Sequence, residues 1–331
     1  MANAEYDVLT IGNAIVDIIA KADDAFLVRE NIHKSTMNLI DADRAEQLYS
    51  VMGSAVETSG GCAGSTAAGI ASLGGKAAYF GKVADDHLGK IFTHDIRAIG
   101  VAYGTEPLVG TLPTARSMIF VTPDGERTMN TYLGACVELA KSDIEEAVVA
   151  DAKITYFEGY LWDPPKAKDA IRLAAKIAHD HNRIVAFTLS DVFCVDRYRD
   201  EFLELMRSGT VDIVFSNDGE LKALYQTSDL ASAMEAVKND VPTAIITMGS
   251  EGSAVVTKDT IIEVQAHPID QLVDSTGAGD LYAAGFLYGL THGHDHKDCA
   301  NIGSLAAAEV IQHIGPRPQT SLKQLLAQSG I

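Results

Sequence analysis

The segment 274–280, Asp-Ser-Thr-Gly-Ala-Gly-Asp, carries the most specific chemical pattern in the chain. Its small residues Gly277, Ala278 and Gly279 lead directly into an apolar, helix-like stretch, so their backbone N–H groups are expected at a helix N-terminus. Unpaired N–H groups at such a terminus bind anions, phosphate included. Asp280 falls in the first helical turn, where its carboxylate either faces the bound anion or serves only as a stabilising charge.

Asn13 and Asp17 follow the first predicted strand and are candidates for binding a sugar. A carboxylate accepts two hydrogen bonds at once, which suits adjacent hydroxyls, and an amide can both donate and accept. The alternative is a turn formed by Asn13 and capped by Asp17. Gly60 and Gly61 lie in a second small-residue loop before a helix, where a ligand can approach the backbone closely.

Two further groups of polar and small residues follow strands later in the chain. Asn217 and Glu220 follow one strand, and Thr247, Gly249 and Gly252 follow the next. Glu220 could help to hold Mg²⁺ through water, because Mg²⁺ keeps several waters beside few carboxylates. The alternative for the first group is a capped helix with Glu in its first turn. The second group passes beside a nucleotide or makes a hairpin turn.

Two other patterns favour a purely structural interpretation. His292, His294 and His296 resemble a metal site, but around a glycine just beyond a helix they are more typical of a polar loop. Cys194 has no activating neighbours in the sequence. Since none of the four cysteines forms a C-x-x-C pair, reduced, buried thiols are favoured over disulfides or zinc.

The elements that must position these residues are clearest in the second half of the chain. Strands are predicted at 154–157, 184–188, 211–215 and 243–247, with helices at 166–181, 201–207 and 219–225. This alternation implies right-handed crossovers and a mostly parallel sheet covered on both faces, which is a three-layer α/β/α sandwich. Such sheets bind ligands at the carboxyl ends of their strands.

The first half predicts a small additional sheet. Strand-like runs on either side of the turn at 122–125 predict a hairpin over 117–132. The segments 19–40 and 104–134 lack clean helical periodicity and are expected to form a β-sheet lid. This lid is interpreted as an insertion in a single domain that spans 1–331.

Charge and composition exclude several functions. The 331 residues include 26 Lys and Arg and 45 Asp and Glu, which gives a formal charge of −19. That excess disfavours nucleic acid and anionic membrane surfaces as partners. Without a secretory signal or a bilayer-spanning apolar stretch, the protein is predicted to be soluble and cytoplasmic. The sequence leaves open whether it is a monomer or a homodimer.

Two common nucleotide-binding fingerprints are missing from the sequence. There is no G-x-x-x-x-G-K-[ST] string, and Gly12 does not open a G-x-G-x-x-G string. A P-loop NTPase and a dinucleotide-binding dehydrogenase are therefore disfavoured. If a nucleotide binds, it binds by another route.

Taken in chain order, the motifs resemble those of the ribokinase-like (PfkB) carbohydrate kinases over nearly the whole chain. The resemblance rests on Gly12-Asn13 with Asp17, the Gly60-Gly61 loop, Asn217-x-x-Glu220, Thr247-x-Gly249-x-x-Gly252 and the string 274–280. Within this family, the sequence is most similar to the subgroup that phosphorylates adenosine. The similarity is carried by residues 12–18, 114–118, 125–127, 156–163 and 314–318. One departure is Ser65, where that subgroup usually carries Asn; Cys62 also often stands as Ser.

The resemblance implies a ribokinase-like fold and transfer of the γ-phosphate of ATP to the 5′-hydroxyl of adenosine, giving AMP and ADP for purine salvage. Asp280 would accept the proton of the hydroxyl, while the N–H groups of 277–279 stabilise the transferring group and Mg²⁺ near Glu220 offsets phosphate charge. A monovalent cation, K⁺, is expected beside Asp274 and Thr276.

The resemblance also assigns binding roles. The ribose would be held by Asn13, Asp17, Gly60, Gly61 and Ser65, and ATP would contact Asn217, Thr247, Gly249 and Gly252. Stacking on the purine would fall to aromatic residues, with Phe120, Tyr132 and Phe157 as candidates, although core packing explains such residues equally well.

Two alternatives stay open at this stage. One is a sugar kinase of the same family acting on ribose, fructose or a keto-sugar acid. The other is a catalytically weak, nucleoside-binding regulator, which Ser65 permits. A purine needs more apolar surface than a sugar does, and an intact Asp280 loop has no purpose in a pure binder.

Overall fold

Strands and helices alternate along the part of the chain that the computed structural model describes, residues 4–110 and 112–331. The strands are β1 (Tyr6–Ile11), β2 (Ile15–Lys21), β3 (Met37–Leu39), β4 (Ala55–Ser59), β5 (Ala77–Phe80), β6 (Ala102–Tyr103), β7 (Ala115–Val121), β8 (Arg127–Tyr132), β9 (Ala152–Glu158), β10 (Ile184–Thr188), β11 (Ile213–Asn217), β12 (Thr243–Thr247), β13 (Ser253–Thr257) and β14 (Ile261–Val264).

The helices separate and cover these strands. They are α1 (Asp24–Arg29), α2 (Ala42–Val51), α3 (Cys62–Leu73), α4 (His87–Ala98), α5 (Glu146–Ala150), α6 (Pro165–Asp180), α7 (Val192–Arg207), α8 (Asp218–Leu224), α9 (Leu230–Val237), α10 (Ala278–Thr291), α11 (His296–Val310) and α12 (Leu322–Ser329). Within the described ranges, none of them combines the length and the apolar character needed to cross a bilayer.

The larger sheet has the order β14-β13-β12-β11-β10-β9-β1-β5-β6. The strands from β12 to β6 are parallel, and β13 and β14 add an antiparallel edge. Successive side chains of β1 point to opposite faces, so Leu9 and Ile11 pack with α5–α9 while Val8 packs with α3, α4, α10 and α11. The three-layer sandwich predicted from the sequence is confirmed.

The predicted boundaries of strands agree well with the observed ones where the hydrophobic pattern of the sequence is regular. The strands predicted at 184–188 and 243–247 have those bounds, and the one predicted at 211–215 lies two residues later. The helix predicted at 201–207 is only the second half of α7. Its first half escaped prediction because Tyr198, with φ −122°, interrupts the helical geometry and therefore the periodicity.

The smaller sheet has the order β3-β8-β7-β2-β4 and carries the predicted hairpin, β7–β8, whose turn contains Gly125 at φ +82°. Its edge strand β4 lies outside the two segments predicted for the lid. The sequence Ala-Val-Glu-Thr-Ser is mostly exposed there, so it shows no alternation of apolar and polar residues. β2 begins at Ile15, earlier than expected.

Candidate active site

A cavity of about 320 Å³ lies between the smaller sheet and the carboxyl ends of the parallel strands. This is the edge at which such sheets bind ligands. Its lining brings together most of the residues chosen from the sequence, namely Asn13, Asp17, Gly61, Ser65, Asn217, Glu220, Thr247, Thr276, Gly277, Ala278, Gly279 and Asp280. The lining does not include Gly60, Gly249, Gly252 or Asp274.

Helix α10 begins at the floor of this cavity without a side-chain cap. Gly277 precedes it at φ +73°, a conformation that favours glycine, and an added Cβ would lie 3.0 Å from Pro316. The first turn of α10 therefore lines the cavity with the positive end of the helix dipole, and its Ala278 N–H donates to the Ser275 carbonyl at 3.3 Å. The helix start that the sequence predicted after Gly277 is present, and its role as an anion site stays a prediction.

Asp280 lies in this first turn and lines the cavity. Loss of surrounding water raises its pKa to about 7, and the negative charge of Glu158 adds to the shift. A hydrogen bond from Cys62 and the charges of Arg317 and Arg127 act in the opposite direction. A carboxylate with a pKa near neutrality is suited to take a proton from a substrate and release it again.

Glu158 is a site residue that the sequence reasoning missed. It ends β9, is almost fully buried, and accepts hydrogen bonds of 2.8 Å from the backbone N–H groups of Asn13 and Ala63. These bonds join the end of β1 to the start of α3, and burial raises the pKa of Glu158 to about 7. The available signal was a carboxylate ending a buried strand at the ligand-binding edge of the sheet.

Asn13 and Asp17 are packed against the glycine pair. A Cβ at Gly60 would lie 2.2 Å from Asp17 Oδ2, and one at Gly61, which has φ +80°, would lie 2.2 Å from the Asn13 carbonyl oxygen. Gly60 thus makes room for the Asp17 carboxylate rather than for a ligand directly. Asp17 is 7% exposed, and burial raises its pKa to about 6.

Within residues 4–110 and 112–331, the Asn13 side-chain oxygen has no hydrogen-bond partner although it is buried and its residue lines the cavity. Buried polar atoms without a partner are rare, because an unmade hydrogen bond costs about 1–3 kcal/mol. This atom is therefore positioned to accept a hydrogen bond from a ligand.

Two arginines that were not selected from the sequence bring positive charge to the cavity. Arg317 donates to the Ser59 carbonyl and hydroxyl at 2.8–2.9 Å and to the Gly64 carbonyl. Arg127, on β8, lines the cavity and contacts Asp274. Both charges favour the ionised forms of Asp17 and Asp280.

Asn217 and Glu220 form a capping box at the start of α8, as the structural alternative predicted. The Glu220 carboxylate accepts from the Asn217 backbone N–H at 2.9 Å and from its side-chain amide at 2.7 Å. Burial raises the pKa of Glu220 to about 7. Each oxygen keeps one lone pair for a water molecule.

Thr247, Gly249 and Gly252 lie at the end of β12 and form the hairpin turn that one interpretation predicts, while contact with a nucleotide stays a prediction. Thr247 pairs with Ser253 across the antiparallel strands β12 and β13, and Met248 closes the turn by donating to the Gly252 carbonyl at 2.8 Å. Of these three residues, Thr247 lines the cavity and the two glycines lie in the turn beyond it.

None of the three aromatic residues suggested for stacking lines the cavity. Phe120 packs on Phe26, with ring centroids 4.8 Å apart, and Phe157 packs on Phe187 at 4.8 Å. Tyr132 packs against the core. The apolar roof of the cavity is instead formed by side chains of the smaller sheet, namely Ile15, Met37, Leu39, Ile119 and Met129.

The residues interpreted as structural have structural partners. Cys194 is buried, its thiol contacts the Gly159 carbonyl at 3.3 Å, and burial raises its pKa. His292 stacks on Tyr288 with ring centroids 4.0 Å apart, and His296 begins α11. In residues 4–110 and 112–331, no three His, Cys, Asp or Glu side chains are grouped to hold a metal.

The uncapped start of α10 beside the carboxylate of Asp280, beneath a second sheet, fits a phosphotransferase that acts on a hydroxyl group. The chain belongs to the pfkB family of carbohydrate kinases, whose model matches residues 8–323.

Solved structures and curated proteins similar to this chain include kinases of stated substrate. An adenosine kinase from Sinorhizobium meliloti is 65% identical, covers 98% of this chain and 100% of its own, and superposes with a TM-score of 0.95. A probable sugar kinase from Rhizobium etli is 61% identical over 99% of both chains, with a TM-score of 0.96. The adenosine kinase of Saccharomyces cerevisiae is 25% identical over 93% of this chain and 95% of its own.

Proposed function

We propose that the chain transfers the γ-phosphate of ATP to the 5′-hydroxyl of adenosine, producing AMP and ADP. The observation that carries this proposal is the cavity itself, which combines buried polar acceptors, an apolar roof and the uncapped start of α10 within about 320 Å³. The 65% identity to an adenosine kinase over nearly the whole chain supports the choice of acceptor.

The ribose binds where Asn13 and Asp17 meet. The partnerless Asn13 oxygen and the buried Asp17 carboxylate accept hydrogen bonds from adjacent ribose hydroxyls. Glu158 acts indirectly, since its bonds to the Asn13 and Ala63 backbones fix the loop that presents these groups. The pentose thereby becomes oriented with its 5′-hydroxyl toward α10.

The purine lies under the smaller sheet. Its faces contact aliphatic and thioether groups, such as Ile119, Met37 and Met129, rather than aromatic rings. A flat apolar base gains stability from covering this surface, whereas a free sugar has no comparable face to bury. The roof is the feature that favours a nucleoside over ribose or fructose.

Phosphoryl transfer occurs at the start of α10. The 5′-oxygen forms a bond to the γ-phosphorus as the bond to the β-γ bridging oxygen breaks, and Asp280 accepts the hydroxyl proton. The N–H groups of Gly277, Ala278 and Gly279 stabilise the charge of the transferring group. ADP leaves with the electron pair of the broken bond.

Mg²⁺, when bound with ATP, offsets charge on the β- and γ-phosphate oxygens. Glu220 would hold it through water, because both carboxylate oxygens already accept hydrogen bonds from Asn217. Glu220→Gln is expected to raise the Mg²⁺ concentration needed for half-maximal rate by about tenfold, with little change at saturating metal. A Mg²⁺ titration of the rate measures this effect.

The exposed Glu263 on β14 provides a matched control. Glu263→Gln should leave the Mg²⁺ titration unchanged. An unaltered Mg²⁺ requirement in Glu220→Gln would remove Glu220 from the metal's surroundings.

The rate is expected to depend on pH near neutrality. Asp280 must be ionised to accept a proton, and its pKa is raised to about 7. The value of kcat/KM should therefore fall as the pH drops through 7 and become constant about one unit above it. Initial rates across this range, with saturating Mg²⁺ at each pH, provide the measurement. A flat profile down to about pH 5 would indicate a base with an ordinary carboxyl pKa.

A substitution at Ser65 tests whether this residue contacts the ribose. It is 1% exposed and lines the cavity. Ser65→Asn extends a polar group toward the ribose and is expected to tighten adenosine binding by about tenfold, the value of one added hydrogen bond. Calorimetry gives the Kd directly. An unchanged or weaker Kd would show that residue 65 does not contact the ribose.

A panel of acceptors tests the proposed function. Phosphate transfer from Mg·ATP is measured with adenosine, inosine, guanosine, ribose and fructose. Adenosine is expected to give the highest kcat/KM. Preference for fructose or ribose would support the sugar-kinase alternative, and absence of transfer to every acceptor would support a nucleoside-binding regulator.

A further inference from the structure

The carboxylate of Asp274, directly before the anion loop, is buried and accepts three hydrogen bonds from the protein. Oδ1 accepts from the Thr276 backbone N–H at 3.0 Å and its hydroxyl at 2.5 Å, and Oδ2 accepts from the Gly315 N–H at 2.9 Å. The Arg127 Nε lies 2.8 Å from Oδ1. The contact with Arg127 is an ion pair rather than a hydrogen bond, and it places the positive charge of the guanidinium directly against the carboxylate.

Arg127 also neutralises the charge of this carboxylate. The Asp274 side chain is 1% exposed and the Arg127 side chain 14%, so the pair is nearly dry. A buried carboxylate without a counter-charge is strongly destabilising, which makes one positive group at this position necessary. In this chain the guanidinium meets that need.

The hairpin that carries Arg127 is seated on the same loop. A Cβ at Gly125, in the β7–β8 turn, would lie 3.0 Å from the Val273 carbonyl oxygen. The Val273 and Asp274 N–H groups in turn donate to the Ile311 carbonyl. The smaller sheet and the loop that leads into α10 therefore meet at two adjacent points.

This arrangement does not fit the monovalent cation expected beside Asp274 and Thr276. A cation bound to this carboxylate would either lie beside the guanidinium of Arg127, where two positive charges repel in a nearly dry position, or displace that guanidinium from its partner. A tethered group has a high effective concentration at its partner, whereas a free ion must be recruited from solution. The competition favours the arginine.

We propose that Arg127 takes the place of a monovalent cation at Asp274, so that docking of the smaller sheet, and not K⁺ or Na⁺, holds the loop before α10. Arg127 is thus a positioning residue for Asp280, which lies six residues after Asp274. The expected effects on kcat rest on the proposed function, whereas the expected effects on unfolding do not.

The wild-type protein gives the first test. Its thermal unfolding midpoint and its kcat with adenosine and Mg·ATP are measured in KCl, NaCl and choline chloride at equal ionic strength. Both quantities are expected to be the same in all three salts. A higher midpoint or rate specific to KCl or NaCl would show that a cation binds despite Arg127, and would overturn the proposal.

Arg127→Ala gives the complementary test. It removes the counter-charge of Asp274, so the unfolding midpoint and kcat should fall, and KCl should restore part of both losses where choline chloride does not. Arg127→Lys keeps a positive charge and should show little response to KCl. Arg116→Ala removes a guanidinium from the adjacent strand β7, where it pairs with Glu46, and should gain no response.

Each outcome of these variants decides the proposal. An Arg127→Ala variant whose midpoint and kcat do not respond to KCl would overturn it, and so would one with wild-type kcat. If that variant does not fold, the salt comparison on the wild type and on Arg127→Lys still decides. Because unfolding needs no acceptor, failure to phosphorylate adenosine would contradict the proposed function without affecting the unfolding result.

Discussion

Asp280→Asn is expected to reduce kcat with adenosine by at least about 10²-fold, the lower end of the contribution of general acid–base catalysis. The amide keeps the shape of the side chain but cannot accept the proton of the 5′-hydroxyl. Binding should change little, so KM for ATP and adenosine should stay within a few-fold of wild type. Steady-state rates of ADP formation measure both parameters.

Two controls separate this effect from a loss of structure. Asp298 occupies the equivalent third position of helix α11, away from the cavity, and Asp298→Asn should leave kcat unchanged. The raised pKa of Asp280 means that its stabilising contribution is present at low pH and lost as the pH rises through 7. At pH 8 the Asn variant should therefore unfold at the same or a higher temperature. Wild-type kcat in this variant would exclude Asp280 as the base.

Asp17→Asn is expected to raise KM for adenosine by about 10²-fold, with a smaller effect on kcat. Hydrogen bonds to a charged acceptor contribute about 1.5–3 kcal/mol, and the ionised carboxylate accepts from ribose hydroxyls that an amide satisfies only in part. The side chain is 7% exposed, so water cannot replace the lost interaction. The measurement is KM from initial rates at saturating Mg·ATP.

A substrate lacking the same hydroxyls is the control for this variant. 2′,3′-Dideoxyadenosine keeps the 5′-hydroxyl and the purine but loses the contacts to both Asn13 and Asp17, so wild type should bind it at least as weakly as Asp17→Asn binds adenosine. The variant should bind the dideoxy compound no worse than wild type does. A further loss of the same size in the variant would show that Asp17 acts elsewhere than on the ribose.

The parts of the fold predicted correctly are those with a local signal. Strands such as β10 and β12 are short β-branched runs between helices, and the turn residues at 122–125 indicate the hairpin over 117–132. The start of α10 is likewise local, because Gly277 and the residues after it carry the pattern of an anion site within one turn. In contrast, β4 is polar and exposed, so its sequence carries no periodicity.

The parts of the site that were missed depend on contacts between distant segments. Glu158 binds Asn13, which lies 145 residues away in sequence, and Arg317 binds Ser59, which lies 258 residues away. Arg127, on the smaller sheet, contacts Asp274 in the loop before α10. Nothing near these residues in the sequence indicates such partners. Phe120 illustrates a false candidate for stacking. The sequence does not show whether an aromatic residue of a lid strand faces the cavity or the core, and Phe120 packs on Phe26 on the side away from the cavity.

The formal charge of −19 first indicates only which polyanions the chain does not bind. The structure places positive charge locally, where Arg127 and Arg317 lie close enough to favour the ionised forms of Asp17 and Asp280. The uncapped start of α10 adds the positive end of a helix dipole. A highly acidic protein can therefore bind ATP through a small region of opposite potential.

The most direct test of this account is to incubate the wild-type protein with adenosine and Mg·ATP and to identify the products by phosphorus NMR. The account predicts one AMP, phosphorylated on the 5′-oxygen, for each ADP formed, and at most about 1% of that initial rate of formation when Asp280→Asn replaces wild type. Formation of ADP without AMP, or of a nucleotide phosphorylated at another position, would contradict it.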